Sequence, residues 1–169
     1  IVHYLNFKNA EDDIFFNKYF FKLYKKFCPG PITFILKKKL GSKIQPHVLA
    51  NLDTVAVRFP NHKIIRTILK KINFPLAMPS ANISSRLSPV SAEDVADEFK
   101  KKIKLILDGG VSKIGIESTV IDLTGKPKIL RPGIISSKII NKTLKKKVNI
   151  SRRSQKIKSP GMLKKHYSP

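Results

Sequence analysis

A chain of 169 residues suits one domain, burying roughly two-thirds of its unfolded surface, and its 41% hydrophobic content suits a globular core. No apolar run approaches the ~18 residues of a membrane span, and the lone cysteine, Cys28, excludes an internal disulfide and a cysteine-rich metal site, so a soluble, cytoplasmic protein is expected. The 34 basic residues against 11 acids give +23, which suits polyanionic partners such as RNA or nucleotides, or else a proteome that uses lysine as its default surface residue.

The opening "IVHYLN" reads as a strand end without an initiating Met, as if the chain began inside a larger protein. Glu11 to Phe27 has apolar residues at helical spacing, acids at its start and lysines at its end, and is predicted as one helix. "CPGP" breaks it. "ITFILKK" and "TVAVRFP" then read as strands, "HKIIRTILKKI" as a helix and "FPLAM" as a third strand. Ser91 followed by Asp94 approximates a capping box for the helix "SAEDVADEF". "KLILD" reads as a strand ending in Gly109-Gly110. "STVIDL" and "KPKILRPG" read as two more strands around a "TGKP" turn, and "SSKIINKTLKKK" as a last helix. Residues 1–147 form the domain on this reading, and 148–169 a basic linker. No acid follows Asp122. Strands alternating with helices, except for one neighbouring strand pair, predict an α/β domain with an open, twisted, mixed sheet and flanking helices. Ligands in such sheets sit beyond strand ends, where loops converge.

Four loops, "CPGPIT", "TVAVRFP", "MPSAN" and "GIESTV", carry candidate chemistry, and His3 stands beside them. In "PSAN", Ser80 and Asn82 can both enter one pocket, or simply cap the backbone. Arg58, in an otherwise apolar strand, must reach a strand end or pair with an anion, and its fork suits a carboxylate; pairing with a protein acid explains it as well. In "GGVSKIGIESTVIDL", glycines permit close backbone approach and hydroxyls follow, although a structural hairpin reads the same way. His3 on a strand is a ligand or a structural residue. No carboxylate pair or nucleophile triad emerges, so catalysis by positioning and charge is expected.

Together, "CPGPITFIL", "TVAVRFPNH", "PLAMPSANISSRLSPVSAEDV", "LILDGG…GIESTVIDL" and "ILRPGIIS" resemble, in order and spacing, the YrdC-like threonylcarbamoyl-AMP synthase family from Ile1 to about Ser137. The ending "SPGMLKKHYSP" resembles the interdomain linker of its two-domain members. The resemblance implies a YrdC-like fold and condensation of L-threonine, bicarbonate and ATP, with Mg2+, into threonylcarbamoyl-AMP and pyrophosphate. A downstream threonylcarbamoyl transferase complex then modifies tRNA. It implies that His3, Arg58, Ser80 and Ser118 hold L-threonine. Thr54, Asn82, Val90 and Arg131 would bind the nucleotide, with His166 and Tyr167 of the linker folding over it. Val90 replaces a threonine common in the family, and Met78 a smaller residue. The family's Lys-x-Arg phosphate element is missing, so the 169 residues alone are expected to be nearly inactive. The alternative is an RNA-binding module of the same fold, with tRNA or double-stranded RNA on a concave, positive face.

Overall fold

The computed structural model describes residues 1–83 and 86–151. Seven strands form one sheet: β1 (Val2–His3), β2 (Ile32–Lys37), β3 (Thr54–Arg58), β4 (Leu76–Ala77), β5 (Thr119–Asp122), β6 (Lys128–Arg131) and β7 (Asn149–Ile150). Their order is β4-β1-β3-β2-β5-β6-β7, and parallel and antiparallel pairs mix as expected. The helices are α1 (Lys18–Phe27), α2 (Lys63–Ile72), α3 (Ala92–Phe99) and α4 (Ser137–Leu144). None among the described residues is long and apolar enough to cross a membrane.

Strand register decides what each face of the sheet carries, because successive side chains alternate sides. Val2, Phe34, Val57, Ile121 and Ile129 share one face and are buried with Phe20 and Leu23 of α1 and Ile140 and Leu144 of α4. The aromatic rings interlock there: Phe20 meets Phe34 edge-on at 5.0 Å between centroids, and Tyr24 meets Phe59 likewise. Each fully buried ring of this kind contributes on the order of 2 kcal/mol. The other face is different. Leu76, His3, Arg58, Thr33 and Val120 are register partners in sequence across four strand pairs, so they form one row on it; a register shift between Val120 and Ile121 then pairs Val120 with Arg131 of β6. A small cluster of Ile35, Ala56 and Val120 provides its apolar floor.

Four expectations change. The first helix starts at Lys18, not Glu11, because Asn17 caps it, its Oδ1 accepting from the Tyr19 and Phe20 amides at 3.0 and 3.1 Å. Of the acids ahead of it, Asp13 serves tertiary contacts, accepting from the Tyr4 hydroxyl at 2.8 Å, the Ser42 hydroxyl at 2.7 Å and the Lys43 amide at 2.9 Å. "FPLAM" shortens to two paired residues. "KLILD" belongs to no strand: Leu105 and Leu107 stand 72% and 58% exposed, since strand-like residues form a strand only where a sheet edge receives them. Finally, Asn149 and Ile150 pair with β6, so the sheet continues past residue 147. The capping box of α3 is present, Ser91 Oγ accepting from the Asp94 amide and Asp94 from the Ser91 amide.

Candidate active site

On the open face, a cavity of about 650 Å³ lies beside the row of polar side chains. Arg58 lines it from the end of β3, Ser118 and Glu117 from the approach to β5, and Arg86, Ser88 and Val90 from the loop ahead of α3. That is an ordinary size for a small-molecule site.

Arg58 is the informative residue. Its Nε is buried and hydrogen-bonded to nothing among the described residues. Burial lowers its pKa; Glu117 opposes that shift, while Arg131 adds to it. Leaving a charged donor buried and unpaired costs about 1–3 kcal/mol or more, so such an atom asks for an anion. The nearby acid does not fully supply one, because Glu117 is engaged elsewhere. It pairs with Arg131 at 3.3 Å and accepts from the Ser88 hydroxyl at 3.0 Å.

Arg131 braces the cavity from behind. Its Nε and Nη2 donate to the Ser118 carbonyl at 3.1 and 2.8 Å, and Nη2 also reaches Ser118 Oγ at 3.0 Å. Ser118 Oγ lies 2.9 Å from Thr33 Oγ1, its neighbour across the sheet. The loop after β6 is zipped onto the same segment: Thr119 Oγ1 donates to the Ile135 carbonyl and accepts from its amide. Gly133 makes this approach possible, since a Cβ there would meet the Glu117 carbonyl and, at 2.6 Å, the Thr119 nitrogen.

His3 sits beside Arg58 in the row and is 6% exposed. Its Nδ1 lies 3.0 Å from the Ile1 carbonyl, within hydrogen-bond distance. Burial first, then the Arg58 charge, push its pKa down to about 4, so the ring is neutral at pH 7. The unfolded ring titrates near 6.5, so between pH 6.5 and 4 the unfolded chain binds more protons. Stability contributed by the neutral ring is therefore whole above 6.5 and lost as pH falls towards 4, by about 3 kcal/mol. Urea unfolding at pH 7.0, 5.5 and 4.5 should show this loss in the wild type and a flatter profile in His3→Gln. Equal profiles would refute it.

Of the other residues implied by sequence, Val90 lines the cavity, but its amide already donates to Asp94 and its carbonyl accepts from Ser112. Asn82 is tied to the wall: its Nδ2 donates to the Arg86 carbonyl at 2.8 Å, while its Oδ1 is buried without a partner among the described residues. Ser80 and Thr54 are not among the cavity-lining residues. Ser80 stands three residues past the end of β4, after Met78, whose amide donates to the Ile1 carbonyl. Thr54 is four residues along β3 from Arg58, about 13 Å at the usual rise. His166 and Tyr167 lie outside the described residues. Sequence reading passed over Glu117, Ser88, Thr33 and Gly133. All four stand inside quoted motifs, yet nothing local marks their partners.

The domain model for Sua5, YciO and YrdC, described as telomere recombination, matches residues 1–133. The chain belongs to the Sua5/YciO/YrdC family. Two curated members are threonylcarbamoyl-AMP synthases. That of Pyrococcus abyssi is 44% identical over 153 residues, 87% of this chain and 44% of that protein. That of Bacillus subtilis is 39% identical over 151 residues, 87% of this chain and 43% of that protein. The chain thus spans less than half the length of either synthase. Among solved family structures, P. abyssi Sua5 complexed with L-threonine superposes with a TM-score of 0.90 at 39% identity, over 99% of this chain and 51% of that one. The open mixed sheet is therefore the fold of the Sua5/YciO/YrdC family, as expected from the five motifs.

Proposed function

We propose that the protein containing these residues makes L-threonylcarbamoyl-AMP from L-threonine, bicarbonate and ATP. The observation that carries this is that Arg58, whose buried Nε has no partner among the described residues, lines the same cavity as Ser118. An amino-acid carboxylate is the anion such a fork takes best. The relative solved with L-threonine has the same fold at a TM-score of 0.90. In this reading His3, neutral and held by Ile1, packs beside Arg58, and Ser118 and Ser80 complete the threonine site. Asn82, Val90, Thr54 and Arg131 serve the nucleotide, with His166 and Tyr167 closing over it. Arg131 also has a second task, holding Ser118 in place.

The chemistry needs positions more than a nucleophile. The threonine amine takes up the bicarbonate carbon, with loss of water, to give a carbamate. A carbamate oxygen then bonds to the α-phosphorus as the bond to the β-phosphate oxygen breaks, and pyrophosphate leaves. Holding the reactants in line and neutralising the phosphate charge supply most of such a rate enhancement. Magnesium arrives with the ATP phosphates as part of the substrate, the usual arrangement for this ion. The product passes, in the cytoplasm, to a transferase complex that acts on tRNA.

The test is threonine-dependent pyrophosphate release by the full-length protein, with ATP and bicarbonate present. Release should need all three substrates and stop without threonine. Pyrophosphate formation that ignores threonine would overturn the reading. A purely RNA-binding module is disfavoured at this cavity by its Glu117 and by the acids Asp94, Asp97 and Glu98 of the adjoining hollow.

A further inference from the structure

Every substrate of the proposed reaction brings negative charge: ATP through its phosphates, bicarbonate as the ion itself, and threonine through its carboxylate. A protein carboxylate in the cavity that receives them works against binding, because like charges at close range repel, more strongly as water leaves. Yet Glu117 lines that cavity, the one acid among the described residues that do. Its side chain is 35% exposed, so a ligand can reach it.

The contacts Glu117 makes do not require its charge. Ser88 Oγ donates to Oε1 at 3.0 Å, and a neutral glutamine oxygen accepts such a bond as well. Oε2 lies 3.3 Å from Arg131 Nη2, but Arg131 is also held through its donations to the Ser118 carbonyl and hydroxyl. An ion pair as exposed as this one contributes little to stability. What the carboxylate alone provides is a negative charge fixed in position. Ser88 and Arg131 engage its two oxygens, and the Glu117 backbone carbonyl accepts from the Ile134 amide at 3.3 Å. Each carboxylate oxygen has a second lone pair, so both can still accept.

The one positive group among the substrates is the α-ammonium of threonine. We propose that Glu117 accepts that ammonium, so that Arg58 and Glu117 together select L-threonine as a zwitterion and reject amino-acid-like anions that lack the amine. The assignment rests on the function proposed above. Two observations support the pairing. Glu117 directly precedes Ser118, and both line the cavity with Arg58. The Arg58 and Glu117 charges also sense each other: burial lowers the Arg58 pKa, and Glu117 works to raise it. One carbon separates the carboxylate from the ammonium of an amino acid, so only a neighbouring cation and anion can take both.

The experiment is isothermal titration calorimetry of the full-length protein with L-threonine and with its α-hydroxy analogue. That analogue is a dihydroxybutanoate of the same configuration, with hydroxyl in place of the amine. The wild type should bind threonine about tenfold or more tightly than the analogue. Glu117→Gln, which keeps an acceptor for Ser88 and Arg131, should lose about tenfold or more in threonine affinity. It should bind the analogue within about threefold of the wild type or more tightly, so that the preference disappears. Glu117→Asp keeps the charge and should keep the preference. ATP affinity should be unchanged or higher in Glu117→Gln, since a negative charge has gone, and this also reports that the variant is folded. Equal losses for threonine and the analogue in Glu117→Gln would make Glu117 a brace of the cavity wall and overturn the proposal. So would a preference that survives in Glu117→Gln or vanishes in Glu117→Asp. A wild type that binds no threonine would overturn the function proposed above, and this assignment with it.

Discussion

Arg58→Met in the full-length protein should leave the thermal midpoint unchanged or raise it, while weakening L-threonine binding about a hundredfold or more. Both halves follow from one atom. Arg58 is half-buried and feels the charge of Arg131, and its buried Nε has no partner among the described residues. Methionine keeps much of the stem's volume and removes the uncompensated charge, a change that is often neutral or stabilising. The ligand carboxylate, by contrast, would lose its counter-charge in a desolvated site, a loss of about 2–5 kcal/mol. Differential scanning fluorimetry with and without threonine reads both at once, since a ligand that binds the folded state raises the midpoint. The wild type should shift with threonine and the variant should not. A variant that melts well below the wild type and still shifts with threonine would make Arg58 a structural residue.

This division between fold and site also explains what the sequence could reveal. β2 and β3 were plain because a run of buried apolar residues between breakers has few other meanings, and the hairpin of β5 and β6 because "TGKP" separates two such runs. The α3 cap was local and therefore readable. The start of α1 was not. Glu11 to Asp13 look like a helix's first turn, but Asp13 is committed to Tyr4, Ser42 and Lys43, contacts up to 30 residues away. Residues 104–108 have strand character but pair with no strand among the described residues. At the site, Arg58 and Ser118 were each visible as candidates. Their meeting depends on Arg58 facing Thr33 across one strand pair, and on Thr33 reaching Ser118 across the next. Glu117 was hidden for a related reason: its partner, Arg131, arrives only when β6 folds back on β5.

Gly133→Ala should lower stability by about 3 kcal/mol and loosen the cavity wall together. An added Cβ would overlap the Glu117 carbonyl, and would lie 2.6 Å from the Thr119 nitrogen and 2.7 Å from the Ser118 carbonyl carbon. All three are backbone atoms of a segment pinned at both sides. Ser118 is chelated by Arg131, and Thr119 is locked to Ile135 by a reciprocal pair of hydrogen bonds at 2.8 and 3.0 Å. No side chain can swing aside, so the loop after β6 must lift away from the start of β5. Overpacking of this kind costs about 1–3 kcal/mol, and the loss of the Thr119–Ile135 bonds places this case at the upper end. For a domain of this size that lowers the thermal midpoint by roughly 6–12 °C. Gly125→Ala is the matched control, because a Cβ there meets nothing within 4 Å. It should melt like the wild type. If lifting the loop also moves Ser118, Gly133→Ala should weaken threonine binding even at temperatures where the protein remains folded, and Gly125→Ala should not. Identical melting curves for the two alanine variants would show that the β6 loop yields freely, and that the hold on Ser118 comes from Arg131 alone.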